Sequence, residues 1–513
     1  MIYKRLLILT LFVSSLLVGL CACENTGTSA GETTLKFASP WEPKSLDPIV
    51  YGTTATLGIT QPLIGVDSEG KLSPNLATSW DVSENGLTWT FHLRDNVLFH
   101  DGTPFTADAA KKSLERTFSK ATEFTSVKTV PIESISAPDQ ETLVITTSRP
   151  FATLAGYLSK DAADILAESS FDEKNEVVAP VGTGPFKYDS WVPKEKMVAV
   201  KFDDYWGDKA KVDKVTYLCV PEEKTRESML RAGEVDIIGT ISPALSKVLA
   251  KDSDYAVCTK EEMGRVRHIM LNTKNPFLSD IKVRKAINIA VDRNLICKTI
   301  LEGVDEPAGT PFSSDLYWAN KNLEIPSYDP ESAKSLLDEA GWKDTDNDGI
   351  REKDGKRLKF TLYTYTSRPE LPTIAEALKD QLGKVGIDIE IIVDAAVLEQ
   401  AKEGKVDMYL VSIGTLLNRD PDTWASYFLP DSAYFDCTNY SPEDVASLVN
   451  QGRETMNLEA RKEIYDRLQE KIWEDVPVVY LSYYTGISAT RANVHGYELS
   501  LIGEPHLENV YKE

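Results

Sequence analysis

Four places in this chain carry residue types and spacings that could do chemistry. His100, in Phe99-His100-Asp101-Gly102, offers an imidazole to a metal or a proton, but it sits among turn formers and reads as a structural histidine. Asp344-Thr345-Asp346-Asn347-Asp348-Gly349 matches the opening half of a calcium loop, in which alternate oxygens surround a hard cation. Its twelfth position is Gly355 rather than a bidentate Glu, so it reads as an acidic turn. Val181-Gly182-Thr183-Gly184-Pro185 has closely spaced glycines but runs into no helix, which makes it a strand-to-turn junction and not a dinucleotide cradle. Asn418-Arg419-Asp420-Pro421-Asp422-Thr423-Trp424 is the richest segment. A salt bridge within the lobe between Arg419 and Asp422 stands level with a ligand-binding role for Arg419.

No HExxH and no GxxxxGK[ST] occurs, and the five histidines have no acid or nucleophile partner close in sequence. With six cysteines and no CxxC, a rich transition-metal cage is excluded, and neither a cofactor nor a directly bound metal is expected. The 513 residues carry 79 acidic and 56 basic side chains, a net charge of -23. That balance argues against nucleic acid as a partner. With 42% hydrophobic and 26% charged residues, the body is an ordinary globular protein of several domains.

Strands alternating with helices must position these residues. Strands are expected at Thr34–Ala38, Thr88–Leu93 (after the Asn85-Gly86 turn), Thr142–Thr147, Lys196–Phe202, Lys214–Val220, Tyr255–Thr259, His268–Leu271, Leu358–Tyr365 and Ile387–Val393. Helices are expected at Ala107–Phe118 behind a Thr106 cap, and at Glu222–Arg231, Ile281–Val291, Pro330–Ala340, Leu371–Val385 and Leu458–Trp473. This alternation predicts α/β layers. Cys219 and Cys258 both fall in strands, so a bridge between them competes with four unpaired thiols.

The amino-terminal residues read as an address. Lys4 and Arg5 precede an apolar run ending at Leu20-Cys21-Ala22-Cys23, followed by a polar stretch. Residues 1–22 are expected to be a cleaved secretory signal, Cys23 the lipid-modified residue, and 23–33 a flexible tether, so that the body works outside the cytoplasm on a lipid anchor.

The body also resembles a known family. Leu76-Ala77-Thr78-Ser79-Trp80, Glu84-Asn85-Gly86-Leu87-Thr88-Trp89, Phe99-His100-Asp101-Gly102-Thr103-Pro104-Phe105-Thr106, Gly182-Thr183-Gly184-Pro185-Phe186 and Arg231-Ala232-Gly233-Glu234-Val235-Asp236 follow one another as in the family 5 extracytoplasmic solute-binding proteins of ABC importers, the peptide and nickel group. The resemblance implies a two-lobed, periplasmic-binding-protein-like α/β fold of the cluster C type, with an inserted subdomain. Lobe one would comprise residues 34–78, 170–271 and 481–513, the insertion 79–169, and lobe two 272–480. It also implies a monomer that closes over a small-molecule solute and delivers it to ABC permease subunits. A sensory receptor or an unrecognised hydrolase on the same fold stays open as the alternative.

For the site, the resemblance points to the Arg419 segment. Peptide-binding members hold the peptide amine with an Asp three residues before the Asp-Pro pair; here that residue is Leu417, leaving Asp420 or Asp422 as substitutes. The His of nickel-importing members has no counterpart in Phe428–Tyr440. Arg419 with Asp420 and Asp422 is more similar to members that take metals as organic chelates, in which an Arg fork clamps a carboxylate. Trp41, Tyr51, Tyr363, Tyr365, Trp424, Tyr483 and Tyr484 supply candidate aromatic walls.

Overall fold

The computed structural model describes residues 32–67, 69–122, 126–501 and 505–513. The expected signal segment and Cys23 therefore lie outside the described residues. Thr33–Glu513 forms one unit.

One eleven-stranded sheet runs through it in the order Asp388–Val393, Lys359–Thr364, Met408–Gly414, Tyr255–Leu271, Val478–Arg491, Ile237–Ile238, Thr34–Ser39, Lys214–Cys219, Lys196–Lys201 and Phe186–Val192, with Glu306–Pro307 pairing aside onto Val478–Arg491. Parallel pairing occurs towards both ends of this order: Thr34–Ser39 with Lys214–Cys219 and Ile237–Ile238, and Lys359–Thr364 with Asp388–Val393 and Met408–Gly414. Helices such as Leu371–Gly383 and Pro330–Glu339 bury their apolar faces against it, giving the expected α/β layering.

The centre of the sheet is a ribbon of two long antiparallel strands, Tyr255–Leu271 and Val478–Arg491. Within the first, the sequence pattern predicts only Tyr255–Thr259 and His268–Leu271, because the charged residues between them hide its continuity. Those charges are paired instead: Glu262 bonds to Arg265, and Arg267 to Asp305 and Glu370. Register slips between Glu261 and Val266, at a bulge where Gly264 takes φ +62°. A Cβ on Gly264 would come within 2.7 Å of Leu416, so any other residue there strains both backbone and packing. Either side of the bulge the ribbon packs into different cores. Val257, Ile487 and Ala489 join one around Leu230 and Ile238, whereas Val266, Met270 and Tyr480 join another around Trp424 and Phe428. Two lobes thus share the ribbon.

A separate four-stranded antiparallel sheet (Ala77–Val82, Thr88–Leu93, Thr142–Thr147, Ile132–Ser136) is covered by the helix Ala107–Lys120, with its own core around Phe91, Leu114 and Phe151. Thr106 caps that helix by accepting from the Ala109 N–H at 3.3 Å.

His100 ties this subdomain to the Gly182–Gly184 segment. Its Nδ1 accepts from the Gly182 N–H at 3.2 Å, which leaves Nε2–H to donate to the Gly184 carbonyl at 3.0 Å. The ring is thereby held neutral and structural, as its turn context suggested. Burial lowers its pKa to about 4, and does the same to His268. Between pH 4 and the unfolded value of 6.5 the unfolded chain binds more protons at these sites, so stability falls as pH drops through that window. At pH 5 the loss relative to pH 7 is about 2 kcal/mol per histidine. Urea midpoints at both pH values should show a shallower acid loss in His100→Gln than in the wild type; equal losses contradict the assignment.

All four described cysteines are free thiols, Cys297 and Cys437 buried, Cys219 and Cys258 half-buried. A Cys219–Cys258 bridge is ruled out by sheet order. Four strand steps separate their strands, roughly 19 Å at about 4.8 Å each, whereas a disulfide needs Cα atoms within about 7 Å.

Candidate functional site

A cleft of about 1480 Å³ opens between the lobes, alongside the central ribbon. Its first-lobe wall includes Trp41 just after the first strand, Tyr51 and Gly52 on the following loop, Gln61, and Asp161 from the subdomain. Its second-lobe wall is built on the strand Met408–Gly414, which exposes Tyr409, Ser412 and Gly414, and on the loops holding Leu417, Arg419, Tyr427 and Tyr434. The ribbon contributes Glu262, Arg265 and Tyr484 at the base.

Arg368 gives the cleft its chemical character. It follows the strand Lys359–Thr364 in the turn Thr366-Ser367-Arg368-Pro369, just ahead of the helix Leu371–Gly383. The residue is 7% exposed and lies on the wall. Its guanidinium sits over the rings of Tyr484 at 4.3 Å and Trp41 at 5.5 Å, and Nη1 donates to the Tyr484 hydroxyl. Among the described residues it meets no carboxylate within salt-bridge range, and Nε finds no hydrogen-bond partner. Neighbouring cations differ in this respect: Arg265 pairs with Glu262, and the fully buried Arg267 with Asp305 and Glu370. Ser482 also donates to Asp305, at 2.7 Å, so the charges behind Tyr484 are satisfied within the protein. Glu262 and Glu370 act on Arg368 through their fields and, with Tyr484, hold its pKa up, so a carboxylate entering the cleft would be its first direct ion-pair partner.

The expected site residues divide in two. Trp41, Tyr51, Tyr365, Tyr484 and Arg419 line the cleft, together with Leu417. Asp420, Asp422, Trp424 and Tyr483 do not, and neither does Tyr363, which is buried in the second-lobe core. The cause is local. Arg419 adopts φ +61°, reversing the chain so that Arg419 faces the cleft while the next carboxylates turn inward. Asp420 pairs with Arg461 at 2.7 Å. Asp422, fully buried, accepts from Arg453 Nε at 2.6 Å and from the Tyr157 hydroxyl at 2.5 Å, so it is not the partner that the local salt-bridge reading assigns to Arg419. Trp424 is 1% exposed and donates to the Tyr480 hydroxyl at 2.8 Å, and Tyr483 donates to the Phe312 carbonyl at 2.9 Å. These four residues support the wall from behind.

Sequence reasoning missed Arg368, Arg265, Glu262, Asp161, Tyr409, Tyr427 and Tyr434, all of which line the cleft. Away from the cleft, Asp344, Asp346, Asp348 and Glu352 bring carboxylate oxygens within 4.8 Å of one another on the surface, with Arg357 paired to Asp348. Glu352, three positions before Gly355, supplies the fourth acid.

Two α/β lobes joined by a continuous ribbon, with an aromatic cleft and a buried cation at its base, define a solute-binding protein. The family model "Bacterial extracellular solute-binding proteins, family 5 Middle" matches residues 71–435, and the chain belongs to that family. The dipeptide-binding protein of Escherichia coli (strain K12) is 27% identical over 519 residues, covering 93% of this chain and 94% of its own. Among solved structures, NikA from Brucella suis in complex with Fe(III)-EDTA superposes with a TM-score of 0.85 at 28% identity, covering 94% of this chain and 100% of the other. DppA from Helicobacter pylori in complex with the peptide STSA gives 0.80 at 28% identity, covering 94% and 99%. Among the described residues no helix is long and apolar enough to cross a membrane.

Proposed function

We propose that this chain captures a small carboxylate-bearing solute, a short peptide or a nickel-type metal chelate, and hands it to the permease subunits of an ABC importer. The observation that carries this reading is Arg368, a buried guanidinium opening on the cleft with no carboxylate of its own among the described residues. The aromatic rings around it supply rigid contact area for an organic body. The protein acts by binding and not by catalysis; no histidine occurs among the described residues of the wall, and its one cysteine, Cys219, has its thiol pKa raised by burial. The hinge is read at the Glu261–Val266 bulge and the facing Tyr483–Thr485 stretch, where the ribbon changes cores, a few residues from the 271/272 and 480/481 boundaries expected from sequence; Val266–Leu271 pack with the second lobe. Solute touching both lobes favours the closed form by its differential affinity. Cys23 carries the lipid that keeps the protein at the membrane, and Cys23→Ser should release it into the medium.

A thermal-shift panel of dipeptides, tetrapeptides and Ni(II) complexes of amino acids tests the reading. A solute at about 100 times its Kd stabilises the folded state by about 2.7 kcal/mol, so at least one carboxylate-bearing class should raise Tm. A panel in which only carboxylate-free compounds do so contradicts it.

A further inference from the structure

The carboxylates around the cleft differ in what already occupies them. Glu262 is held by Arg265, and Asp67 accepts from the N–H groups of Glu69 and Lys71 in its own turn. Behind the second-lobe wall Asp420 and Asp422 are held by Arg461 and Arg453, and the residue facing the cleft there is Leu417. Asp161 differs from these four. It begins the short helical turn Asp161–Ala163 with its surface opening onto the cleft. The Ala162 N–H donates to it at 2.9 Å, no salt bridge to it is formed among the described residues, and Lys160 on the same wall favours its charge through its field. Burial pushes its carboxyl pKa up, against the opposing field of Lys160.

The position of Asp161 is fixed from behind by Gly52. A Cβ on Gly52 would sit 1.8 Å from Asp161 Oδ2, so the carboxylate rests directly on the glycine backbone, in space that only glycine leaves. The wall therefore offers a carboxylate on the first lobe and a guanidinium, Arg368, on the second, neither of them in a direct ion pair among the described residues.

Resting on the reading that Arg368 takes a solute carboxylate, we propose that Asp161 is the specificity residue for a solute ammonium group, so that the site selects zwitterions with a free amine over N-blocked acids. The ammonium donates to Oδ2 across the cleft, and closure brings both charges of the solute against their protein partners. A charge-assisted pair of this kind discriminates by excluding the analogue that leaves a buried carboxylate unpaired.

An equimolar dipeptide library with free amino termini and the same library N-acetylated are the probes, with retention on the intact protein read by native mass spectrometry. Wild type should retain free-amine peptides at least tenfold over acetylated ones. Asp161→Asn should lose that preference while still retaining acetylated peptides at the wild-type level, and Gly52→Ala, which displaces the carboxylate, should do the same. An unchanged preference in Asp161→Asn, or a wild type that takes acetylated peptides as readily as free ones, overturns the proposal while leaving the Arg368 reading intact. Equal retention of both libraries by wild type and Arg368→Gln overturns the underlying reading instead.

Discussion

Arg368→Gln should abolish solute capture at a stability cost of no more than about 2 kcal/mol. Truncating one partner of a buried, hydrogen-bonded charge pair costs about 2 to 5 kcal/mol, which is roughly a 30-fold to several-thousand-fold loss of affinity. The cost is small for a residue 7% exposed because no direct ion pair is broken; Glu262 and Glu370 act on the charge only through their fields. What is lost in return is the stacking on Tyr484 and Trp41, worth about 1 to 2 kcal/mol. Calorimetric titration with the solute that most stabilises the wild type, paired with urea unfolding, separates the two effects. Lost binding with a stability drop above about 2 kcal/mol would show that Arg368 is a structural residue.

Asp422→Asn should do the reverse, costing about 3 to 5 kcal/mol of stability because it strands Arg453, a fully buried guanidinium, without its charge partner. Asp422 also receives the Tyr157 hydroxyl, and Gly156 beside it lies so close to Asn418 that a Cβ would come within 2.2 Å of the Asn418 carbonyl. The subdomain and the second lobe therefore meet at this carboxylate. Tyr157→Phe removes one hydrogen bond and keeps the ion pair, so its cost should be nearer to about 1 kcal/mol. Urea midpoints order the three proteins, wild type above Tyr157→Phe above Asp422→Asn. An Asp422→Asn protein within about 1 kcal/mol of wild type but impaired in binding would return Asp422 to the ligand.

How legible the molecule is in sequence depends on how local each signal is. Thr88–Leu93 and Thr142–Thr147 form at the residues their alternation marks, and Thr106 caps its helix, because period-two patterning and capping are written in neighbouring side chains. The Tyr255–Leu271 strand reads as two pieces, since its charged middle is paired to residues distant in sequence, such as Arg267 to Asp305 and Glu370. The site follows the same rule. The aromatic candidates Trp41, Tyr51, Tyr365 and Tyr484 reach the cleft. Arg419 does so as well, but the side to which Asp420 and Asp422 turn is set by one left-handed residue and by Arg453 and Arg461 on later helices. Arg368 and Asp161 carry no spacing that distinguishes them from surface charges; burial and the absence of a partner mark them, and both are properties of the folded chain.

Native mass spectrometry of gently purified protein, wild type beside Arg368→Gln, tests the central claim most directly. The account predicts one low-mass, carboxylate-bearing molecule retained by the wild type and absent from the variant at equal folded fraction. An adduct held equally by both, or one without a carboxylate, contradicts it.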